Sequence, residues 1–282
     1  MINQYEHGNT NSKSVTILND IRYTLSSPVD HMIFQKLAAY PSYLKMMWEC
    51  YKPLVQSKYF EQCANILRVR AEVIMNQLIP PTTLSAPQDM FNALVPFHLI
   101  NPKLLLITSS LRWSIQGKKR KNNLSEESKK SLLNHLVTSI ERKPRPIIDL
   151  SKSDKQIQSL IEDIRTTLQI EVVSLDYLLL AEWPDIFQQL WGLLKSVISQ
   201  QTYLQLLEDL QHVADDFSVN FPLDVDLTPD FLNEHNISII EIEEIHKKLD
   251  IFYEAFPKLI ANVSFFILWL QKATVDQTTN CP

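Results

Sequence analysis

The chain has 282 residues, of which 45% are hydrophobic and 21% are charged, and its formal net charge is −5. This composition is typical of a soluble globular protein with a large core, and the acidic balance argues against general nucleic-acid binding, which needs a basic surface. Only three glycines are present, whereas phosphate-binding loops, dinucleotide fingerprints and nucleophile elbows all need glycine at their turns. These three kinds of site are therefore excluded.

The predicted elements are all helices, because Leu, Gln, Lys and Glu recur in long periodic stretches. After a polar segment at 1–14, the first half is predicted to form helices near 15–26, 29–39, 42–78, 87–97 and 101–116. Breaks between these helices are expected at Pro28, Pro41, Pro80-Pro81 and Pro102. The sequence thus predicts an all-α fold.

A connector at 117–152 separates the two halves of the chain. It begins with the basic run Lys118-Lys119-Arg120-Lys121, which is interpreted as a solvated loop, and it ends with the extended spacer Lys143-Pro144-Arg145-Pro146. A short helix is expected near 125–141. The second half is predicted to be helical near 153–168, 173–181, 184–218, 229–233 and 238–275, with a possible break at Pro257.

The second half repeats the first at a constant offset in the numbering of 163 − 20 = 143 residues. The segment Asp20 to Leu25 reads Asp-Ile-Arg-Tyr-Thr-Leu, and Asp163 to Leu168 reads Asp-Ile-Arg-Thr-Thr-Leu. At the same offset Trp48 aligns with Trp191. A period of this length is that of a domain, not of a solenoid repeat. We therefore predict two tandem helical repeats, at 15–116 and 153–275 with the linker at 117–152 between them, forming a pseudo-twofold symmetric single-chain pseudo-dimer.

The two halves differ most sharply where Ile33 aligns with Asp176, which lies in a very apolar segment. A buried carboxylate has a raised pKa or needs hydrogen-bond partners, so Asp176 is a candidate general base. The local sequence alone favours a simpler interpretation, in which Ser174 caps a helix and Asp176 lies in its first turn. Both interpretations stay open at this stage.

Asn101 has a similar ambiguity, because it precedes Pro102 at an expected helix start and could simply cap that helix. Its amide could instead face the groove between the halves and hold a water or a substrate group. The widely spaced cysteines show no zinc spacing, and neither a metal nor another cofactor is predicted. The chain shows no signal-peptide pattern, and its longest apolar stretch, Leu259 to Leu270, is too short to cross a bilayer, so a soluble cytoplasmic protein is expected.

From about residue 18 to 275 the chain resembles the group I (D,L-specific) 2-haloacid dehalogenases, also called the halocarboxylic acid dehydrogenase family. The segments that carry the resemblance are Asp20 to Leu25, Tyr40 to Leu44, Asn101 to Thr108, and Asp176 with Leu180 to Pro184. The resemblance implies an all-helical pseudo-dimer of two tandem repeats with the active site between them. It also implies hydrolysis of a 2-haloalkanoic acid to the 2-hydroxy acid with inversion, by a water that an aspartate activates.

By this resemblance, Asp176 is the base and Asn101 positions water or substrate. The chain departs from the family at four positions, which carry tryptophan, phenylalanine, serine and tyrosine in the family and Val29, Met32, Leu175 and Phe256 here. These four residues are predicted to line an apolar substrate pocket. The expected partner is a small carboxylic acid, with no nucleic acid and no membrane, and the sequence does not fix the oligomeric state.

Two other functions remain compatible with the sequence. One is a catalytically inactive or repurposed helical binding protein on the same fold, and the other is a hydrolase of a different small carboxylic acid. Halide release that depends on Asp176 distinguishes the dehalogenase from both.

Overall fold

A computed structural model describes residues 12–81, 86–118, 124–142, 147–171, 173–223 and 226–279. Over these ranges the protein is all-α, as the sequence predicts, and the only β pairing there is an isolated antiparallel bridge between Ser57 and Leu136. The helices are α1 (Ser12–Thr24), α2 (Met32–Leu37), α3 (Pro41–Val55), α4 (Lys58–Leu78), α5 (Gln88–Ile115), α6 (Glu126–Asn134), α7 (Lys155–Leu168), α8 (Leu175–Leu180), α9 (Pro184–Ile198), α10 (Gln201–Val219), α11 (Pro229–Glu234) and α12 (Ile239–Thr279). A single 3-10 turn occupies Leu150–Lys152.

Helices α7 to α10 follow the plan of α1 to α4, and α8, α9 and α10 each begin at the position that the sequence repeat aligns with the start of α2, α3 and α4. The irregular backbone between the helices matches as well. Ser26 and Gln169, which occupy equivalent positions in the repeat, both adopt left-handed conformations, with φ of 55° and 52°. Residues other than glycine rarely adopt this conformation because it costs about 1 kcal/mol or more, so its recurrence at equivalent positions is a specific similarity.

A partly buried cluster of side chains also occurs twice, at equivalent positions of the repeat. The Trp48 indole donates a hydrogen bond to Asp20 at 2.6 Å, and Lys52 pairs with the same carboxylate at 2.8 Å. In the second half, Trp191 donates to Asp163 at 2.7 Å and Lys195 pairs with that carboxylate at 2.7 Å. The bonds from Lys195 and then Trp191 lower the pKa of Asp163. In each half the cluster ties the first helix to the third, since α1 packs against α3 and α7 against α9.

We expect Asp20→Asn and Asp163→Asn to lower the free energy of unfolding by similar amounts, about 1 kcal/mol each, because each removes the charge that an indole and a lysine share. Urea unfolding curves of the two variants measure the losses. Glu49→Gln is the control, since Glu49 forms only an exposed ion pair with Lys45 and should change stability by less than about 0.5 kcal/mol. A large loss in only one of the two aspartate variants would show that the clusters are not equivalent.

Helix boundaries differ from the sequence-based prediction in two ways. The helices predicted at 42–78 and 184–218 are each divided, at Gln56-Ser57 and at Ser199-Gln200. At the first division the buried Ser57 hydroxyl accepts a hydrogen bond from the Phe60 amide at 3.1 Å, so a side chain satisfies the start of α4. These divisions escaped the sequence analysis because serine and glutamine are weak helix breakers.

The breaks predicted at Pro102 and Pro257 are wrong, because α5 runs unbroken through Pro96 and Pro102 and α12 through Pro257. A proline inside a helix removes one backbone hydrogen bond. In these two helices extensive burial of apolar side chains outweighs that loss, since most of the middle of each helix is inaccessible to solvent.

The chain divides into two compact units, and each unit takes segments from both halves of the sequence. The first comprises Met1–Asn65, Lys103–Pro144 and Gln211–Glu254, and the second comprises Ile66–Pro102, Arg145–Leu210 and Ala255–Pro282. Large side chains fill the core of each: Phe34, Tyr43, Tyr51 and Phe60 in the first, and Tyr177, Phe187, Tyr203 and Trp269 in the second. The repeat boundaries at 15–116, 117–152 and 153–275 stay a prediction. Residues 119–121 of the basic run and the spacer 143–146 lie outside the described residues.

Helices α5 and α12 are long and apolar enough to cross a membrane by length and composition, although neither contains a continuous apolar run of that length. Their most apolar windows have mean hydropathies of 1.3 and 1.4. Within the protein, 72% and 67% of these windows are buried. Such burial is the behaviour of core helices, so their apolar character is explained by packing.

Candidate active site

Asp176 lies in the first turn of the six-residue helix α8, and only 1% of its surface is exposed. Ser174 occupies the N-cap position, yet its side chain does not cap the backbone. One carboxylate oxygen of Asp176, Oδ1, accepts a hydrogen bond from the Tyr177 amide at 3.1 Å. The first-turn location suggested by the local sequence is therefore confirmed, and the capping role of Ser174 is wrong.

Asn101 lies in the interior of α5 and is 2% exposed. Its interpretation as a helix cap is wrong, because α5 begins more than three turns earlier, at Gln88. The Asn101 amide Nδ2 donates a hydrogen bond to Asp176 Oδ2 at 3.3 Å. Two residues that are 75 positions apart in the sequence thus meet inside the second unit.

Burial dominates the electrostatics of this pair and raises the pKa of Asp176 above its ordinary value. Hydrogen bonds from the Ser174 hydroxyl and the Asn101 amide oppose the shift, as do the backbone amides of Tyr177 and Asp176. Among the described residues, no cation forms an ion pair with Asp176. The carboxylate is therefore stabilised by neutral donors alone, an arrangement that leaves it basic.

Ser174 supplies a hydroxyl that the sequence analysis did not assign. The family's serine precedes the aspartate directly, where this chain has the buried, apolar Leu175, 3% exposed. The hydroxyl of Ser174, two positions before Asp176, lowers the pKa of the same carboxylate. The sequence contained this signal, but a serine before a short helix was interpreted only as a cap.

The other predicted pocket residues are all buried. Phe256 lies on α12 in the second unit and is 4% exposed. In the first unit, Val29 is 7% exposed and Met32 is 8% exposed. Val29 is held by Ser27, whose hydroxyl donates to the Val29 carbonyl at 2.7 Å and accepts from the Val29 amide at 3.1 Å. That these side chains line a substrate pocket stays a prediction.

The structure adds a second buried asparagine, which the sequence analysis did not assign. Asn262 is fully buried on α12 and hydrogen-bonds to the hydroxyl of Tyr177, the residue that follows Asp176. The spacing Pro-x4-Asn precedes both asparagines, at Pro96 to Asn101 and at Pro257 to Asn262, but it also occurs at Pro87 to Asn92 and so does not single them out.

The arrangement suits proton transfer. A general base works best when its pKa is raised toward the working pH and a donor fixes its orientation, and Asp176 with Asn101 meets both conditions. Over the part of the chain that the structure describes, no three His, Cys, Asp or Glu side chains are grouped so that they could hold a metal ion. The absence of a cofactor stays a prediction.

Curated relatives match over most of the chain. An (R)-2-haloacid dehalogenase of Pseudomonas putida is 21% identical over 262 residues, which cover 89% of this chain and 86% of the relative. A configuration-inverting 2-haloacid dehalogenase of Pseudomonas sp. (strain 113) is 25% identical over 206 residues, which cover 66% of this chain and 64% of the relative.

Solved structures share the fold. A complex of a D-2-haloacid dehalogenase mutant with D-2-CPA superposes with a TM-score of 0.82 at 19% identity and covers 92% of both chains. A complex of D-2-haloacid dehalogenase with L-LA gives a TM-score of 0.81 at 20% identity and covers 93% of both chains.

The family model described as "Halocarboxylic acid dehydrogenase DehI" matches residues 28–177, more than half of the chain. The matched stretch begins next to Val29 and includes both Asn101 and Asp176, so it covers the buried carboxylate and its amide partner. The chain therefore belongs to the DehI family of halocarboxylic acid dehydrogenases.

Proposed function

We propose that the protein is a hydrolytic 2-haloacid dehalogenase in which Asp176 activates a water. The water oxygen attacks C2 of a 2-haloalkanoic acid from the side opposite the halogen. The carbon–oxygen bond forms as the carbon–halogen bond breaks, the halide leaves with the bonding electron pair, and the water proton passes to the Asp176 carboxylate. The products are the 2-hydroxy acid with inverted configuration and a halide ion.

The observation that carries this proposal is the buried Asp176 carboxylate with its Asn101 donor 3.3 Å away. A carboxylate without a cationic partner keeps its affinity for a proton, as a base for water requires. Membership of the family supports the reaction, and the names of the curated relatives, which are 2-haloacid dehalogenases, support the substrate class.

The proposed pocket accounts for the substrate's apolar part. The apolar side chains predicted as pocket residues suit the alkyl group and the halogen, both of which are poorly hydrated and favour apolar surroundings. A dry pocket would also strengthen the interaction of Asp176 with the attacking water. No metal or other cofactor is needed for this step. We also propose a cytoplasmic location and no nucleic-acid or membrane partner.

We further propose that both enantiomers react, as in the D,L-specific group. Direct attack by water forms no bond between enzyme and substrate, so a water placed near C2 could serve either configuration. The names of two relatives specify the (R) enantiomer. Turnover of the (R) enantiomer alone would replace the proposed D,L specificity with (R) specificity.

The tandem duplication is part of the proposal. It is supported by the matched starts of α2 to α4 and α8 to α10, by the left-handed residues Ser26 and Gln169, and by the two aspartate clusters. The proposed arrangement is a single-chain pseudo-dimer in which only the second half kept a carboxylate at the position of Asp176.

Halide release from D- and L-2-chloropropionate and from the two enantiomers of 2-bromopropionate, measured separately with the purified protein, tests the proposed function. We expect faster release from the bromo acids, because bromide is the better leaving group. Chiral analysis of the lactate should show inverted configuration. No halide release from any of the four acids would reject the dehalogenase and favour another small carboxylic acid or the non-catalytic scaffold.

A further inference from the structure

A fully buried polar network links α8 to α10 and α12 within the second unit. The Tyr203 hydroxyl donates to Asn262 Oδ1 at 2.8 Å, and Asn262 Nδ2 donates to the Tyr177 hydroxyl at 2.7 Å. Tyr177 and Tyr203 are each 1% exposed, and Asn262 is not exposed. Because unpaired polar atoms at such depth cost about 1 to 3 kcal/mol each, the three side chains constrain one another's positions.

The network acts on the helix that carries Asp176. Helix α8 has only six residues and no side-chain N-cap, so it is too short to hold its own geometry and depends on tertiary contacts. Tyr177 supplies these contacts: its ring lies within 6.2 to 6.4 Å of the rings of Phe187, Trp191 and Phe266. Ring packing alone permits sliding, whereas the hydrogen bond to Asn262 fixes the end of the side chain.

The first half of the chain lacks this network at the equivalent positions. Phe34 and Phe60 are the repeat counterparts of Tyr177 and Tyr203, and neither has a hydroxyl. The Pro-x4-Asn pattern is present in both halves, but Asn101 bonds to Asp176, whereas both ends of the Asn262 amide are used by tyrosines. The duplicated asparagine has thus acquired two different partners.

We propose that Asn262 and Tyr177 are positioning residues for the base: by anchoring Tyr177 to α12, Asn262 holds α8 so that the Asp176 carboxylate keeps its hydrogen bond from Asn101. The inference rests on the proposed function for its catalytic consequence. The closeness of Tyr177 to the carboxylate gives the coupling a physical basis, because burial and then the Asp176 charge raise the pKa of the Tyr177 hydroxyl and keep it neutral.

The test compares Tyr177→Phe with Tyr51→Phe. Tyr51 is an equally buried tyrosine in the first unit whose hydroxyl lies 2.7 Å from Ser110 Oγ. Both variants therefore remove a buried, hydrogen-bonded hydroxyl, and their melting temperatures should fall by similar amounts. We expect Tyr177→Phe to lower kcat about tenfold, with KM changed less than twofold, because the base is misplaced while substrate contacts remain. Tyr51→Phe should leave both constants unchanged.

The pKa of Asp176 is the readout that does not depend on turnover. It can be measured on the free protein by carbon-13 NMR of labelled aspartate, with Asp176→Asn used to assign the resonance. We expect the pKa to rise further in Tyr177→Phe, because a looser α8 weakens the bond from Asn101 that lowers it. A pKa and kcat equal to those of the wild type in Tyr177→Phe, or equal changes in Tyr51→Phe, would overturn the proposal.

Asn262→Leu alone leaves two buried hydroxyls without partners and is at risk of not folding. The triple variant Tyr177→Phe/Tyr203→Phe/Asn262→Leu removes every polar atom of the network together, which is close to neutral for stability. A folded triple variant should show the same rise in the Asp176 pKa and the same loss of kcat. If wild-type protein releases no halide, the proposed function fails, and the NMR comparison still decides whether the network positions Asp176.

Discussion

Asp176→Asn is expected to reduce halide release by about 10²- to 10⁴-fold, the range that a lost general base costs. The amide keeps the size of the side chain and can still accept the hydrogen bond from Asn101, but it cannot take a proton from water. The measurement is halide release under saturating substrate, far below the unfolding temperature. Asp163→Asn serves as control, because it changes a carboxylate of the same half that is bonded to Trp191 and Lys195 and not to Asn101.

Asp176→Asn should also be more stable than the wild type at neutral pH, by about 1 kcal/mol. In the wild type the pKa of Asp176 is raised on folding above its ordinary value of 3.8, so the folded state binds the proton more tightly than the unfolded state does. Wild-type stability therefore falls as the pH rises from near 3.8 through the raised folded-state pKa. The advantage of the asparagine variant should be full above that window and should vanish below it.

Urea unfolding at several pH values measures this effect. Lower stability of Asp176→Asn at neutral pH would mean that the ionised carboxylate contributes more through its hydrogen bonds than burial costs. If Asp176→Asn releases halide at the wild-type rate, Asp176 is not the base.

Asn101→Asp should have the second largest effect on the reaction. In the wild type, Asn101 Nδ2 lies 3.3 Å from Asp176 Oδ2. The substitution places a second carboxylate at this distance. Two buried carboxylates this close cannot both ionise readily, so one proton is shared and one of the pair's apparent pKa values rises strongly. At neutral pH we expect kcat/KM to fall by about 10²-fold or more, with the acidic limb of the pH profile moved to higher pH.

Asn101→Leu separates the charge from the lost hydrogen bond. It removes the donor without adding a carboxylate, so the acidic limb should move less than in Asn101→Asp while the rate still falls. The pH dependence of kcat/KM for both variants gives the comparison. An acidic limb at the wild-type position in Asn101→Asp would show that the two side chains are not coupled in solution.

The all-α class was predictable because it depends on composition and periodicity, which are local properties. Scarce glycine and long periodic stretches exclude most other architectures without any knowledge of packing. The failures came where tertiary burial overrides local preference: α5 continues through Pro96 and Pro102, and the segment predicted as one helix at 42–78 is divided where Ser57 satisfies the next helix.

The same distinction holds for the site. Asp176 was identified because a carboxylate in an apolar segment conflicts with its neighbours, and such a conflict is visible in the sequence. Its contact with Asn101 joins residues 75 positions apart, a distance that no local pattern in the sequence bridges. The role of Asn262 depends on three helices meeting, which no pattern along the chain specifies.

The pairs Ile33 with Asp176 and Phe34 with Tyr177 have a consequence for the proposed tandem duplication. All four side chains are 1% exposed, so equivalent buried positions carry opposite chemistry in the two halves. A homodimer cannot do this, because both subunits are read from one gene and every substitution appears twice. Once two copies are joined in one chain, symmetry can be broken one residue at a time, and a single base can evolve without the repulsion of its own mirror partner.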